Sequence, residues 1–309
     1  MDSTELLTEL ISMDSSTKSG ANQTVDFCAL WLERHGLKVE VLENNGYKML
    51  VSEIGKGNRT LILNGHVDTV PGSPEQLTPK INDGKLYGRG AADMKAGVAA
   101  YMCTLVELNK QELDCKVQLQ IVSDEETGGK NCSKFLTENG YRGDFVICGE
   151  PTQLGIGLQS KGILQFEVMV KGKPAHSSRP WEGENAVIKA VEFFHDLSTL
   201  PFALESSEFY KRPSINLSMI EGGSVINQVP GVCKLAVDIR FLPGQSEEEI
   251  IEQIRSLEPG ELNIISLGTP ISTKREDPNI ETLSSVITDV LQLEHPIIFG
   301  QHGSADGRF

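Results

Sequence analysis

Three short apolar runs in the first half of the chain constrain its fold more than any other feature. TLILNG, VQLQIVS and DFVICGE each have the length of one strand, and each ends in polar residues. Buried central strands of an α/β sheet have this character, because helices cover both faces. Strand patterns at 37–43, 47–53, 60–65, 116–122 and 144–148 alternate with helical patterns at 3–12, 23–35, 92–109 and 130–139. The alternation predicts an α/β fold with a mostly parallel sheet covered by helices.

The pattern changes in the second half of the chain. A period-two run at 163–172 is followed by a helix at 184–197, strands at 215–223 and 233–241, a helix at 246–256 and a strand at 261–267. The order β-α-β-β-α-β is that of an α+β sandwich. We therefore predict that residues 162–270 form an inserted α+β domain. Residues 1–161 and 271–309 then form the α/β domain, which ends with a helix at 279–293 and a strand at 295–300.

Composition narrows the class of protein. The chain of 309 residues has a formal net charge of -15, which argues against nucleic acid or an anionic membrane as partner. No run approaches the ~18 apolar residues of a membrane span. The acidic start MDSTELLTELISMD lacks the basic and apolar regions of a signal peptide. Six cysteines are scattered without a CxxC pair, which is typical of free thiols in a reducing compartment, so we expect a cytoplasmic protein.

Ligand-type side chains recur where the predicted strands end. His66 in NGHVDTVP, Glu125 and Glu126 in SDEETGG, and Glu150 in CGEPT each follow a strand pattern. Asp93 lies in the glycine-containing loop YGRGAADMKAG before a predicted helix. Ligands of open α/β sheets bind beyond the carboxyl ends of the strands. One imidazole with several carboxylates fits a single hydrolytic zinc centre, and it also fits two metals bridged by a carboxylate.

The spacing of these residues suggests a division of roles. His66 and Asp68 lie two apart at a strand end, so Asp68 can accept the second ring N–H of a ligating histidine. Glu126 is expected to bind metal. Glu125 is expected to take a proton from the attacking water and pass it to the leaving amine. Each acid taken alone also fits a solvated loop or a helix start, and it is their joint placement that favours a catalytic site.

Five segments together carry a family resemblance. HVDTVPG, GRGAADMKAG, SDEETGG, GEPT and AHSSRPWEGENAV resemble the motifs of the metallopeptidase family of acetylornithine deacetylase, succinyl-diaminopimelate desuccinylase, aminoacylase and carboxypeptidase G. The resemblance covers nearly the whole chain. It implies a catalytic α/β domain interrupted by a βαββαβ dimerisation domain, and hence a homodimer. It also implies two Zn²⁺ ions per subunit, for which Co²⁺ can substitute, and hydrolysis of a small N-acyl amino acid or peptide.

The resemblance also implies roles for individual residues of the metal centre. Asp93 would bridge the two ions, His66 and Glu150 would complete one site, and Glu126 would belong to the other. Glu125 would be the general base. The peptide bond that follows Asp93 would be cis.

Further roles are implied outside the metal centre. His176 in KPAHSSRP would reach the partner subunit's active site and stabilise the tetrahedral oxyanion. Substrate-binding roles are implied for Lys161, Asn227, Arg240, Ser304 and Arg308. Arg240 suits a carboxylate because of its planar fork, and it suits a structural ion pair equally well. Lys161 stands where desuccinylases commonly have arginine, which argues against a diaminopimelate substrate. The segment GSADGRF resembles GTSDGRF of desuccinylases, with Ala305 in place of the serine.

The sequence departs from the family pattern at its end. Family members continue past the GRF segment with a strand, a helix and a histidine ligand, whereas this sequence ends at Phe309. Three interpretations stay open: a fragment, a remnant that only dimerises and binds metal or ligand, and a one-metal enzyme completed by His302 or water. For an active enzyme, the alternatives are a deacylase of N-acyl amino acids and a dipeptidase or carboxypeptidase.

Overall fold

The strand patterns of the first half form one five-stranded sheet. The computed structural model describes residues 2–258 and 260–309 and divides into two units. The first unit contains residues 2–154 with Ala305–Gly307 and Phe309, and the second contains Gly155–Ser304 with Arg308. The boundaries of the inserted domain, 162–270, stay a prediction.

The first unit contains four helices and seven strands among its described residues. The helices are α1 (Ser3–Ser12), α2 (Lys18–Arg34), α3 (Ala96–Leu108) and α4 (Ser133–Glu138). The strands are β1 (Glu40–Asn44), β2 (Tyr47–Gly55), β3 (Thr60–His66), β4 (Lys80–Asn82), β5 (Lys85–Tyr87), β6 (Lys116–Val122) and β7 (Phe145–Cys148). The first helix begins where predicted because Asp2 and Glu5 form a capping box.

The main sheet has the strand order β1-β2-β6-β3-β7. Strands β6, β3 and β7 are parallel, as predicted for the apolar runs. Strands β1 and β2 form an antiparallel hairpin, and β2 is also antiparallel to β6. The α/β class is therefore confirmed, but the sheet is mixed, because the two-residue turn at Asn45 and Gly46 reverses the chain before β2.

One hydrophobic core lies between this sheet and its helices. Helices α1, α2 and α3 contribute apolar side chains such as Leu10, Leu32 and Met102, and β6 contributes Leu119 and Ile121. All five of these side chains are fully buried. The core thereby fixes the start of α3 against the sheet, beside the strand ends that the sequence marks as a site.

The second unit contains four helices and seven strands among its described residues. The helices are α5 (Ala186–Leu197), α6 (Pro201–Leu204), α7 (Glu247–Ser256) and α8 (Pro278–Leu291). The strands are β8 (Ile156–Ser160), β9 (Gly162–Lys171), β10 (Ser214–Gly222), β11 (Val232–Phe241), β12 (Glu261–Gly268), β13 (Ile271–Ser272) and β14 (Ile298–Gln301). The order β9-α5-β10-β11-α7-β12, apart from the short α6, is the predicted β-α-β-β-α-β.

Two sheets organise the second unit. The larger has the order β10-β11-β9-β12 and is antiparallel throughout. Alternate residues of β9 and β11 are buried under α5 and α7, which explains the period-two pattern of their sequences. The smaller sheet has the order β13-β8-β14.

Several short elements are not evident in the sequence. Strand β8, the β4–β5 hairpin and the one-turn helix α6 are too short to show a period, and only pairing or packing defines them. No helix in residues 2–258 and 260–309 combines the length and the apolar character that a bilayer span requires.

Candidate active site

Three predicted ligand residues converge in the first unit. One nitrogen of His66 and one carboxylate oxygen each of Asp93 and Glu150 lie within 4.8 Å of one another. His66 is buried, Glu150 is partly buried and Asp93 is exposed, so the group opens to solvent on the Asp93 side. An imidazole and two carboxylates converging from three separate segments can hold one metal ion.

The topology explains this convergence. His66 is the last residue of β3, and Glu150 lies two residues beyond the end of β7. Because β3 and β7 are adjacent and parallel, their carboxyl ends meet at one edge of the sheet. Asp93 reaches the same edge from the irregular turn Ala91–Lys95 that precedes α3, where its backbone departs from helical angles. The Asp93–Met94 peptide bond is cis, as predicted.

Asp68 orients the His66 ring. The Nδ1 atom of His66 lies 3.0 Å from the carbonyl oxygen of Asp68 and 3.5 Å from its carboxylate, while Nε2 lies 3.4 Å from Asp93. Burial lowers the pKa of His66, but the hydrogen bonds to Asp68 and Asp93 outweigh it and hold the pKa well above the usual value. An imidazole held at Nδ1 presents Nε2 to the site, which is the geometry of a metal ligand.

The two adjacent glutamates differ in their surroundings. Burial raises the pKa of Glu125 to about 8, and the carboxylate of Asp306 adds to the shift. Glu126 is exposed, and its carboxylate accepts a hydrogen bond from the Val70 amide at 3.2 Å. Its backbone amide donates to Asp68 Oδ2 at 2.9 Å. Glu125 thus has the raised pKa of a group that exchanges protons near neutral pH. Glu126 is not one of the three converging ligand residues.

The residues present fit a divalent metal. Burial raises the pKa of Glu150 to about 7, against the influence of His66 and with an added contribution from Asp93. The buried Oδ1 atom of Asp68 makes no hydrogen bond within the described part of the chain, and it lies 3.5 Å from Nδ1 of His66. A group of closely spaced carboxylates that repel one another around an imidazole is stabilised by a cation, and the oxygen and nitrogen donors suit a zinc-like ion.

The sequence interpretation missed Asp306. This residue lies in the segment GSADGRF and is buried, and its Oδ2 accepts a hydrogen bond from Ser133 at 2.6 Å. Burial raises the pKa of Asp306 to about 6, and the bond to Ser133 opposes the shift. Nothing around it marks it as buried, because it follows a glycine-containing loop and not an apolar run.

Lys95 is a second residue that had no predicted role. It is fully buried, and its Nζ donates to the carbonyl oxygens of Leu10 at 2.8 Å and Met13 at 3.0 Å. Burial lowers its pKa to about 8. These carbonyls lie at the carboxyl end of α1, which favours a cation. Lys95 thereby connects the end of α1 to the turn that carries Asp93. The only sequence feature that could have indicated a role for Lys95 is its position two residues after Asp93 in the motif GRGAADMKAG.

In the second unit, His176 and Asn227 lie on two paired loops. The Ser177 amide donates to the Asn227 carbonyl at 3.0 Å, and His176 forms an isolated bridge with Gln228. The Ser178 amide donates to Nδ1 of His176 at 3.2 Å. A backbone amide can only donate, so Nδ1 is the acceptor and the proton of the neutral ring is on Nε2. His176 is therefore an exposed hydrogen-bond donor at Nε2.

The remaining predicted substrate residues have partners within the second unit. Lys161 is buried, donates to the Arg212 carbonyl at 3.0 Å, and lies 5.4 Å from the ring centre of Tyr210. Arg240 on β11 contacts Asp238 with Nε at 2.7 Å and Nη2 at 3.1 Å. The structural ion pair that the sequence left open is therefore present. The Nη1 atom of Arg240 makes no hydrogen bond to the described residues.

The chain end contributes two further predicted residues and one alternative ligand. Arg308 Nη1 donates to Ser304 Oγ at 2.9 Å. His302 packs edge-on against Tyr210 with ring centres 5.6 Å apart. His302 is not one of the three converging ligand residues.

Comparison with known proteins identifies one family of hydrolases. The model of peptidase family M20/M25/M40 matches residues 62–309. Acetylornithine deacetylase of Proteus mirabilis is 32% identical over 280 residues, which cover 84% of this chain and 72% of the relative. Acetylornithine deacetylase of Aliivibrio fischeri (strain ATCC 700601 / ES114) is 32% identical over 281 residues, which cover 84% and 74%.

Solved structures share the fold. Aminopeptidase PepT from Bacillus cereus superposes with a TM-score of 0.82 at 20% identity, covering 99% of this chain and 86% of that protein. An M20 family metallo-carboxypeptidase from Sulfolobus solfataricus gives 0.77 at 20% identity, covering 100% and 88%.

Proposed function

This chain belongs to peptidase family M20/M25/M40 and is a metal-dependent hydrolase of amide or peptide bonds, and we propose that it removes the acyl group from a small N-acyl amino acid. The observation that carries the proposal is the convergence of His66, Asp93 and Glu150 beside the proton-exchanging Glu125. The curated relatives support this choice within the family, because they are acetylornithine deacetylases that align over 84% of the chain.

We propose Zn²⁺ as the metal, with Co²⁺ able to replace it. His66, Asp93 and Glu150 would hold one ion, and Asp93 and Glu126 would contribute to a second. A divalent metal bound there polarises the scissile carbonyl and acidifies water. Asp68 holds the His66 ring through Nδ1, which keeps Nε2 available as a ligand atom.

Glu125 moves the proton in the proposed reaction. Its raised pKa lets its carboxylate accept a proton from the attacking water near neutral pH and lets its carboxylic acid return that proton to the leaving amine. The neighbouring Asp306 favours the protonated form of Glu125. This exchange completes hydrolysis, since the water's hydroxyl joins the acyl carbon and its proton leaves with the amine.

His176 supplies a donor for the oxyanion in this proposal. The Ser178 amide leaves the proton of the neutral ring on Nε2, so the ring can donate to an oxygen that gains negative charge. We propose that His176 acts in the active site of a partner subunit, as the family resemblance implies. The enzyme would then be a homodimer whose activity requires both subunits.

Substrate recognition is proposed for a set of residues in the second unit. The set comprises Lys161, Asn227, Arg240, Ser304 and Arg308. The free Nη1 edge of Arg240 can bind a carboxylate while its other edge stays paired with Asp238. We further propose a cytoplasmic location, because all six cysteines are free thiols.

A dipeptidase or carboxypeptidase activity is the second possibility. It is favoured by the fold shared with an aminopeptidase and a metallo-carboxypeptidase. Both reactions hydrolyse an amide bond next to a carboxylate-bearing amino acid, so the same catalytic residues would serve either one.

Metal content and substrate range, measured on the same samples, test the proposal. We expect bound Zn²⁺ to restore hydrolysis of N-acetyl- or N-succinyl-amino acids to chelated protein, with dipeptides and tripeptides turned over more slowly. His66→Ala should lose metal and activity together, whereas His195→Ala, at the end of α5, should lose neither. If peptides are cleaved faster than every N-acyl amino acid, the result would contradict the deacylase proposal and support the peptidase.

A further inference from the structure

Three glycines surround the buried side chain of Met94. A Cβ atom added at Gly65 or at Gly149 would lie 2.8 Å from the Met94 terminal methyl, and one added at Gly97 would lie 3.2 Å from it. These distances are shorter than ordinary van der Waals contacts, so the methyl group occupies space that any other residue would fill. We call this set of four residues the Met94 contact. Met94 is 1% exposed.

Space, and not backbone conformation, disfavours a larger residue at these glycines. Besides the Met94 methyl, a Cβ added at Gly65 would lie 3.0 Å from Val98 Cγ2, and one added at Gly149 would lie 2.8 Å from the Tyr101 ring. Positive φ angles occur at other glycines of the chain, but not at Gly65, Gly97 or Gly149. Any residue could therefore adopt their backbone conformations. At Gly97 the approach involves backbone as well, because a Cβ there would lie 2.5 Å from the carbonyl oxygen of Gly149.

Every member of the converging metal triad is bonded to a member of the Met94 contact. The adjacent pairs are Gly65 and His66, Asp93 and Met94, and Gly149 and Glu150. The three segments come from the end of β3, the turn before α3 and the end of β7. The side chain of Met94 thus lies in the core beside the residues that precede His66 and Glu150, and Met94 directly follows Asp93 in the chain.

We propose that Met94 is a positioning residue that sets the distances between His66, Asp93 and Glu150, and thereby the affinity for metal. Met94 binds no metal and touches no substrate in this role. A larger side chain at this position would push the strand ends apart, and a smaller one would leave a cavity into which they could move. Either change would alter the distances between the ligand atoms, so that they could no longer bind one ion together. The inference rests on the proposed metal site and adds the element that gives the site its dimensions.

The first test replaces Met94 and compares it with a matched methionine. Met102 lies on α3, is fully buried in the same core, and adjoins none of the three ligands. Met94→Ala should weaken Co²⁺ binding about 10-fold to 100-fold, as is typical when a group that orients ligands is lost. Met102→Ala should leave the affinity within about twofold while lowering the melting temperature similarly, since each leaves a cavity in the same core. Met94→Leu, which nearly conserves volume, should restore most of the affinity.

The second test fills the space from the opposite side, and it also applies if Met94→Ala does not fold. Gly65→Ala should weaken Co²⁺ binding, because the added methyl group would lie 2.8 Å from the Met94 methyl and 3.0 Å from Val98 Cγ2. Adding Met94→Leu, which removes the terminal methyl of the methionine, should reduce that loss. Gly157→Ala is the control, since a Cβ there meets only an ordinary contact of 3.7 Å to Phe299. The Co²⁺ absorption spectrum of each variant reports the ligand geometry independently of turnover.

The outcomes separate the inference from the proposed function. Wild-type protein that binds Co²⁺ through His66, with unchanged affinity in Met94→Ala and Gly65→Ala, would overturn the positioning role and leave the metal site in place. Equal loss of affinity in Met94→Ala and Met102→Ala would likewise reduce the role to general stability. If the His66→Ala variant binds Co²⁺ as tightly as the wild-type protein does, both proposals are overturned.

Discussion

The main sheet of the first unit and the larger sheet of the second place their predicted functional residues differently. In the first, β6, β3 and β7 are parallel and end at one edge, where His66 is the last residue of β3 and Glu125 and Glu150 follow β6 and β7. In the second, all strands are antiparallel, so neighbouring strands end at opposite edges. His176 there lies in a loop, and Arg240 lies along a strand.

The difference appears in the electrostatics of the two regions. The carboxyl groups at the parallel edge crowd together, and burial raises the pKa values of Glu125 and Glu150 to about 8 and about 7. In the second unit, Arg240 has its own acidic partner in Asp238. Parallel strands concentrate charge that a metal can neutralise, whereas the residues predicted to act in the second unit lie apart, each with its own hydrogen-bond partner. The predictions below test that contrast.

The largest effect is expected from Glu125→Gln, which keeps the shape of the side chain and removes its proton exchange. Turnover should fall about 10²- to 10⁴-fold, with unchanged metal content, because Glu125 is not one of the three converging ligands. Steady-state rates and metal analysis of the same preparation provide the measurement. Glu138→Gln, an exposed acid on α4, is the matched control. Full turnover in a metal-loaded Glu125→Gln variant would exclude Glu125 as the base.

His176→Gln should lower kcat by about 10²- to 10³-fold through loss of the oxyanion donor. Metal content should not change, because no ligand is touched. Ser178→Ala should have a much smaller effect, since the backbone amide that holds Nδ1 remains. A rise in KM alone would assign His176 to substrate binding.

Mixed dimers sharpen this prediction. Subunits carrying Glu125→Gln and subunits carrying His176→Gln should each be nearly inactive, but a dimer of one of each should contain one intact site if His176 acts on the partner. Activity measured after mixing and re-equilibration should therefore rise well above either parent. Absence of recovery in dimers shown to be mixed would place His176 in the site of its own subunit.

A smaller effect is expected at Arg240. Arg240→Lys keeps the charge and removes the planar fork, so one edge can no longer bind a carboxylate while the other holds Asp238. KM should rise about tenfold, the equivalent of one lost charge-assisted hydrogen bond, with kcat little changed. An unchanged KM with slightly reduced stability would show that the ion pair is the whole role of Arg240.

The smallest effect concerns the stability of metal-free protein. The pKa values of Glu125, Glu150 and Asp306 are raised on folding, to about 8, about 7 and about 6, so the folded state binds more protons than the unfolded state above pH 5. Stability should fall as the pH rises from 5 to 8. The raised pKa of His66 acts in the same direction, and the lowered pKa of Asp93 acts only at lower pH.

Thermal melts of chelated protein across this range measure the trend. Bound Zn²⁺ should reduce it, because the ion favours the deprotonated carboxylates. Glu150→Gln should also reduce it, since the neutral amide no longer titrates. A chelated protein whose stability rose steadily from pH 5 to 8 would contradict the crowding of these acids.

Local pattern identified most of the long elements. Helix α1 occupies the predicted residues, and β6 matches its apolar run at 116–122. The boundaries of α3 moved, because the chain before Ala96 forms the irregular turn that carries Asp93. Strand β8 was not predicted, because only its pairing with β13 and β14 defines it.

The candidate site divides in the same way. Motif spacing predicted His66, Asp93 and Glu150 as metal ligands, and the structure brings these three together. It did not indicate Asp306, whose burial depends on contact with Ser133, a residue 173 positions away. It also gave no sign that Met94 fills the space between glycines from three segments.

The sequence by itself determined the residue types of the site, the alternation of helices and strands, and the family to which the chain belongs. These follow from local chemistry, because periodicity and motif spacing depend only on residues that are close together in the sequence. Only the tertiary structure decided which acids crowd together, that Asp306 is buried against Ser133, and that Met94 lies between glycines of three segments. Those properties depend on distances between segments far apart in the chain, and packing and strand pairing alone set such distances.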